Sequence, residues 1–139
     1  MATTNTKKRR TKKSNTALSR TSIFASSANA IRRVDTPELG GSVYVRSIRA
    51  SEFNTMRAML MRNGQVKEDE VMARLVTLAA CDDKGKRIFT DADWQKVNNI
   101  PLASVLRIFR AAMKLNNLTD DDVEEIAKNS PKTPSFDPG

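Results

Sequence analysis

Apolar residues recur at helical spacing through the second half of the chain, and this periodicity limits the fold more than any other feature. Between Leu102 and Met113 they follow the i, i+3, i+4, i+7 rule, which predicts a helix with one apolar face. A similar pattern predicts a helix from about Lys67 to Cys81, with acidic residues in its first turn. Because such faces must be covered, these helices are expected to pack on one another in a small domain.

Residues typical of helix ends predict three further helices. Ser51 can cap a helix that ends at Asn63-Gly64, since Gly commonly terminates helices. Thr90 and Thr119 can cap two shorter helices, and each has an aspartate three residues further on, as in a capping box. Pro101 fits the first turn of the helix that follows it.

The stretch before these helices favours β-structure. Val34 and the run Val43-Tyr44-Val45 are β-branched or aromatic, which suits a pleated surface. A proline and two glycines between them favour a turn. We therefore predict a hairpin of strands at about 31–36 and 42–48, with Tyr44 and Arg46 on one face.

Charge divides the chain into a basic front and a nearly neutral body. Residues 1–33 contain nine basic and no acidic residues, whereas residues 34–139 contain 15 basic and 16 acidic ones. Residues 1–16 have too few apolar side chains to fold and are predicted to be a disordered basic tail. Residues 17–129 are predicted to form the domain, beginning with a short helix over about 18–29. Residues 130–139 are a predicted flexible, Pro-rich tail.

The expected fold class is therefore mainly α, an all-α core of four to five helices preceded by a β-hairpin. Several functions are excluded or disfavoured by composition. The chain has no histidine and one cysteine, so it has no Ser-His-Asp triad, no intrachain disulfide and no cysteine-based zinc site. Its glycines are scattered and form no phosphate loop. We expect no catalytic, metal or cofactor-binding residues, and hence no enzyme.

Location follows from two further absences in the sequence. No apolar run approaches the roughly 18–20 residues that span a bilayer. Arg20 and many small polar residues interrupt the region where a signal peptide would need an apolar core. We expect a cytoplasmic protein without a membrane partner.

Acidic clusters have alternative interpretations. Asp82-Asp83 with Gly85 could suggest a calcium loop, but lysines occupy the alternate positions where oxygen ligands are needed, so a turn is favoured. The acidic residues after Thr119 are favoured as helix-capping groups over a cation site. Trp94 and Cys81 are each interpreted as core residues in preference to ligand-binding ones.

A methionine-rich stretch is the candidate protein-binding site. On a helix Met56, Met59 and Leu60 share one face, Met61 points elsewhere, and Met72 follows in the next helix. Flexible thioethers suit surfaces that accept irregular partners. The alternative is ordinary core filling.

The basic run offers a second candidate function. Its six residues would attract nucleic acid through phosphate charge, namely Lys7, Lys8, Arg9, Arg10, Lys12 and Lys13. The alternative is a solubilising tail. The nearly neutral body offers no aromatic stacking platform or helix rich in base-reading residues.

The order of segments resembles the tail assembly chaperones of long-tailed bacteriophages and prophages. The stretches are "VDTPELGGSVYVRSIRASEF", "RLVTLAACDDKGKRIFTDADW" and "ASVLRIFRAAMKLNNLTDDDVEEIAKN". Leu39 departs from a common Trp and Asn117 from a common Gly, and residues 1–16 are not part of the pattern. The matching positions are Pro37, Glu38, Gly40, Val43, Tyr44, Val45, Arg46, Leu75, Val76, Gly85, Phe89, Asp91, Phe109, Leu115, Asn116, Leu118 and Val123.

The resemblance implies a chaperone of the tape-measure protein, the long helical protein that sets tail length. Such a chaperone keeps its client soluble, helps recruit tail-tube protein subunits, and acts in the host bacterial cytoplasm. In many such phages a programmed frameshift adds a C-terminal extension to a fraction of the molecules. Self-association is left open.

Overall fold

The computed structural model describes residues 16–26, 30–62 and 65–128. Most of the predicted basic tail and all of the predicted Pro-rich tail lie outside these ranges. Single 3-10 turns lie at Pro37–Leu39, Glu68–Glu70 and Asp91–Asp93. In chain order the other elements are α1 (Arg20–Ala25), β1 (Ile31–Thr36), β2 (Gly41–Arg46), α2 (Ala50–Leu60), β3 (Met61–Arg62), β4 (Gln65–Val66), α3 (Val71–Ala79), β5 (Ala80–Cys81), α4 (Trp94–Val97), α5 (Leu102–Leu115) and α6 (Asp120–Lys128).

The predicted hairpin is confirmed, and its second strand ends two residues early. β1 and β2 pair antiparallel, with Val34 opposite Val43. The turn closes through Gly40, whose φ of 80° is a conformation that glycine adopts without strain. Val45 is fully buried in the core. Arg46 lies on the other face of the sheet, where it is also buried and forms an ion pair with Glu52.

A third strand corrects the expected all-α fold. β5 pairs antiparallel with β2, so the sheet has the order β1-β2-β5, and the fold is mixed α/β although helices dominate. Ala80 and Cys81 continue the apolar run of α3, and neither residue is β-branched. The sequence therefore predicted helix where the chain turns into the sheet. Cys81 is buried, as predicted.

The helices are confirmed with altered boundaries. The helix predicted over about 67–81 is a 3-10 turn followed by α3. Of the helix predicted over about 18–29, the described residues contain α1, and residues 27–29 lie outside the described ranges. Arg49 occupies the N-cap position of α2 in place of Ser51, and its backbone N–H donates to Glu52. Thr119 and Asp122 cap α6 reciprocally, as predicted. No helix in the described ranges is long and apolar enough to cross a membrane.

α3 joins the two halves of the core. Eight of its nine residues are buried, so other elements cover most of its surface. On one side α3 packs with the sheet and α5 around Val45, Val76 and Ile108. On the other side it packs with α2 and α6 around Leu60 and Leu75. The sheet therefore positions α3, and α3 in turn positions α2.

Candidate protein-binding site

A cleft of about 170 Å³ lies between α2, α3 and the loop that follows β5. It is partly open to solvent. Its walls combine apolar and thioether groups with paired charges. The lining residues are Ser51, Glu52, Thr55, Met56, Met59, Arg74, Thr77, Leu78, Arg87 and Asp91.

Two of the five predicted protein-binding residues line this cleft. Met56 is 4 % exposed and belongs to the second half of the core, whereas Met59 is only half-buried and reaches the surface. Leu60 is fully buried in the second half of the core. Met61 lies in β3 and Met72 packs against the first half of the core, so neither lines the cleft. Met59 is therefore the thioether best placed to meet a partner there.

Arg74 lies beside the Met59 side chain at the wall of the cleft. Its Nη1 lies 3.4 Å from the Met59 sulfur, and its Nε lies 3.3 Å from a carboxylate oxygen of Glu70. The guanidinium also stacks over the ring of Trp94, with its carbon 4.9 Å from the ring centroid. Because Arg74 is only 8 % exposed, its charge is satisfied inside the protein.

Arg46 supports the cleft from the sheet. It donates to both carboxylate oxygens of Glu52 at 3.0 Å and to the carbonyl of Leu78 at 2.8 Å. Burial raises the pKa of Glu52, but the hydrogen bonds from Arg46 and from the Arg49 backbone N–H outweigh burial and lower that pKa overall. Glu52 is therefore ionised at neutral pH and links α2 to the sheet.

Arg87 completes the charged part of the wall. Its Nη2 donates to the carbonyl of Thr77 and to the carboxylate of Asp91, both at 3.0 Å. Each arginine in or directly behind the cleft thus has a carboxylate partner. The charges in and behind the cleft therefore balance, so the cleft has no net attraction for an anion.

The acidic clusters behave as the turn and capping interpretations predicted. The Asp82 carboxylate accepts the backbone N–H groups of Lys86 and Lys84, and these bonds hold the pKa of Asp82 below its usual range. Asp93 accepts the N–H of Thr90. Within the residues that the structure describes, no group of three or more acidic or cysteine side chains could hold a metal ion.

Sequence reasoning missed the polar half of the site. Arg74 and Arg87 were not singled out, although each has a carboxylate four residues away, at Glu70 and Asp91. That spacing is the available signal in both cases. Nothing local linked Arg46 to Glu52, because their contact depends on how α2 packs against the sheet.

One solved structure similar to this chain is described as that of the bacteriophage HK97 tail assembly chaperone. The match covers 70 % of this chain and 98 % of that one, at 17 % identity and a TM-score of 0.49. No protein-family model matches the chain. No curated protein matches it either.

Proposed function

We propose that this protein is a phage tail assembly chaperone that binds the tape-measure protein, keeps it soluble and helps recruit tail-tube subunits. The ordered series of segments from "VDTPELGGSVYVR" to "LNNLTDDDVEE" supports the class of protein. The cleft at Met59 supports the mode of action, because a chaperone of a helical client needs a place for apolar side chains.

The observation that carries the proposal is a half-buried thioether beside a neutral cleft. A cavity of about 150 Å³ lined by apolar groups can hold a benzene ring. The cleft of about 170 Å³ is therefore large enough for one aliphatic or aromatic side chain of a client helix. Met59 can change rotamer to fit different side chains, which suits a client that presents many similar apolar helices.

The proposed role is non-catalytic and is carried out in the host cytoplasm. The absence of histidine in the sequence motivates the first part, since histidine is the most common general base. The second part follows from the proposed client, which is assembled inside the infected cell.

Co-expression with the tape-measure protein tests the proposal. The full chain should raise the soluble fraction of the tape-measure protein, and Met59→Ser should remove most of that effect because it replaces the thioether with a polar group. Met59→Leu should retain the effect, since it preserves an apolar side chain of similar volume.

Leu102→Ser is the matched control. Leu102 is apolar and 65 % exposed, and it does not line the cleft, so this variant should act like the wild type. A tape-measure protein that is equally soluble without the chain would contradict the function. Solubility that depends on the chain but is unchanged by Met59→Ser would retain the function and reject the cleft.

A further inference from the structure

β1 forms an uncovered edge of the three-stranded sheet. The strand order is β1-β2-β5, and the segment after β5 lies along the opposite edge, where the Ile88 N–H donates to the Ala80 carbonyl at 3.3 Å. Among the described residues, none pairs with the side of β1 that faces away from β2. Such an edge presents a row of backbone donors and acceptors that can pair with another strand.

The register of the hairpin shows which residues of β1 present these groups. The N–H of Ser47, the residue after β2, donates to the Ala30 carbonyl at 2.9 Å, so the backbone of Ala30 faces that strand. Antiparallel pairs alternate between hydrogen-bonded and non-hydrogen-bonded positions, so every second residue after Ala30 faces β2 in the same way. The N–H and C=O groups of Ile31, Arg33 and Asp35 therefore point away from the sheet.

Two of these three residues carry opposite charges. The Nε of Arg33 lies 3.4 Å from Oδ1 of Asp35, and the two side chains are 64 % and 78 % exposed. An ion pair this exposed gains little over the same charges in water, so both groups are available to a partner. Like charges along an edge would repel a second copy of the same strand. A positive and a negative charge two residues apart can instead be matched by the same sequence running in the opposite direction.

One antiparallel register of β1 against a second β1 matches both charges. It places Arg33 opposite Asp35 of the second copy and, by two-fold symmetry, Asp35 opposite Arg33 of that copy. Both residues present outward backbone groups, so each position can exchange a pair of N–H···O=C bonds. Sliding the second strand by two residues in either direction would place Arg33 opposite Arg33 or Asp35 opposite Asp35. Like charges directly opposite each other are destabilising.

We propose that two copies of this chain pair through β1 in this register and form a dimer. The two three-stranded sheets then join into one sheet with the order β5-β2-β1-β1-β2-β5. Both copies use the same surface, so the assembly closes at two copies. None of the residues that line the cleft at Met59 belongs to β1, so the pairing goes beyond the proposed client site and does not depend on it.

Charge variants of the full chain test the pairing by sedimentation velocity. The wild type should form a dimer as its concentration is raised. Arg33→Asp should raise the dissociation constant about tenfold or more, because it places aspartates opposite each other at both positions. Asp35→Arg should have the same effect through facing arginines. An equimolar mixture of the two variants should dimerise again, since every facing pair then has opposite charges.

Two controls keep the charge experiment interpretable. Arg33 and Asp35 are both exposed, so each variant should retain the circular dichroism spectrum of the wild type. Glu124→Arg changes an exposed charge on α6 and should dimerise like the wild type.

Disulfide cross-linking tests the register. Facing residues at a hydrogen-bonded position lie about 5.5 Å apart at Cα, a separation that a disulfide can bridge. Under oxidation, Arg33→Cys mixed with Asp35→Cys should give a cross-linked heterodimer, which keeps the second pair of Asp35 with Arg33. Neither variant should cross-link alone. The native Cys81 is 1 % exposed and does not compete.

A full chain that stays monomeric at every concentration would overturn the proposal. So would a dimer that persists unchanged in both single charge variants, since it would use another surface. A charge-variant mixture that stays monomeric, or equal cross-linking by the single cysteine variants and their mixture, would overturn the register. These experiments contain no client, so their failure is distinguishable from a failure of the chaperone function.

Discussion

The two ends of the β-hairpin are each tied to a helix by an arginine–carboxylate pair, but the pairs differ in burial. Near the cleft, Arg46 of β2 is 4 % exposed at its side chain and binds Glu52 of α2. At the turn, Arg107 of α5 is 47 % exposed and binds Glu38. The donor–acceptor distance is 3.0 Å in both pairs.

This difference shows why geometry alone does not measure the importance of an ion pair. An exposed pair gains little over the same charges in water, whereas a buried charge that loses its partner is costly. The pair beneath the cleft therefore fixes the position of α2, and with it Met59. The pair at the turn adds orientation to the hairpin but little stability.

Glu52→Ala should have the largest effect on folding. It leaves the buried Arg46 without a carboxylate and removes the acceptor of the Arg49 N–H at the start of α2. We expect a loss of about 3–5 kcal/mol in the free energy of unfolding. Urea unfolding followed by Trp94 fluorescence measures this loss. A cost no greater than that of Glu124→Ala, an exposed carboxylate on α6, would refute the distinction between buried and exposed pairs.

Asn116→Ala should cause the second-largest loss in the free energy of unfolding. The Asn116 side chain joins the end of the hairpin near the cleft to α5. Its side-chain oxygen accepts the N–H of Ile48 at 2.8 Å, and its amide donates to the carbonyls of Arg46 and Ala112. Loss of these bonds leaves partly buried backbone groups unsatisfied and should cost about 1–3 kcal/mol. The same unfolding experiment measures the cost. Asn117→Gly is the neighbouring control, and because Asn117 has a φ of 56° it should retain wild-type stability.

Lowering the pH should destabilise the protein more through loss of the Arg46–Glu52 pair than through loss of the Arg107–Glu38 pair. The pKa of Glu52 is lowered on folding, so its contribution is present above the pKa of the unfolded chain and is lost as pH falls through the folded pKa. The side-chain hydrogen bond from Arg107 likewise lowers the pKa of Glu38. As the pH is lowered from about 5 to about 3, where carboxyl groups of the unfolded chain become protonated, the urea concentration at the unfolding midpoint should decrease.

The same titration compares the two carboxyl groups directly. Glu52→Gln should flatten the dependence of stability on pH more than Glu38→Gln does, because protonation of Glu52 leaves a buried arginine behind. Equal flattening in the two variants would show that the partner's burial has no effect.

Arg107→Ala should have the smallest effect. Its side chain is nearly half exposed, and water can replace its bonds to Glu38. The unfolding midpoint should remain near that of the wild type. A loss as large as that of Glu52→Ala would mean that the turn end stabilises the fold as strongly as the cleft end.

Much of the fold could be predicted from local patterns. The valines and glycines of the hairpin, the stripe of α5, and the Thr119–Asp122 cap each act within a few residues, and all three are present. β5 was missed because Ala80 and Cys81 are paired through tertiary packing and have no β-signal of their own. Tertiary packing also explains why α2 begins after Arg49 and not after the predicted cap Ser51. Arg46 of the sheet binds Glu52, and Glu52 accepts the backbone N–H of Arg49.

The candidate site could be predicted only in its apolar part. Helical spacing brought Met56 and Met59 together, and both line the cleft. The same spacing included Leu60, which faces the core, because periodicity does not distinguish a covered face from an accessible one. The arginines were missed since charged residues are assumed to face solvent. Whether the five predicted residues bind a client remains a prediction.

Methyl-labelled methionine NMR tests the central claim most directly. The resonances of Met59 and of Met113, a core methionine that is 7 % exposed, are compared before and after the tape-measure protein is added to the full chain. We predict that the Met59 methyl resonance shifts or broadens while that of Met113 keeps its position. A complex that forms with the Met59 resonance unchanged would contradict the proposal that clients bind in the cleft.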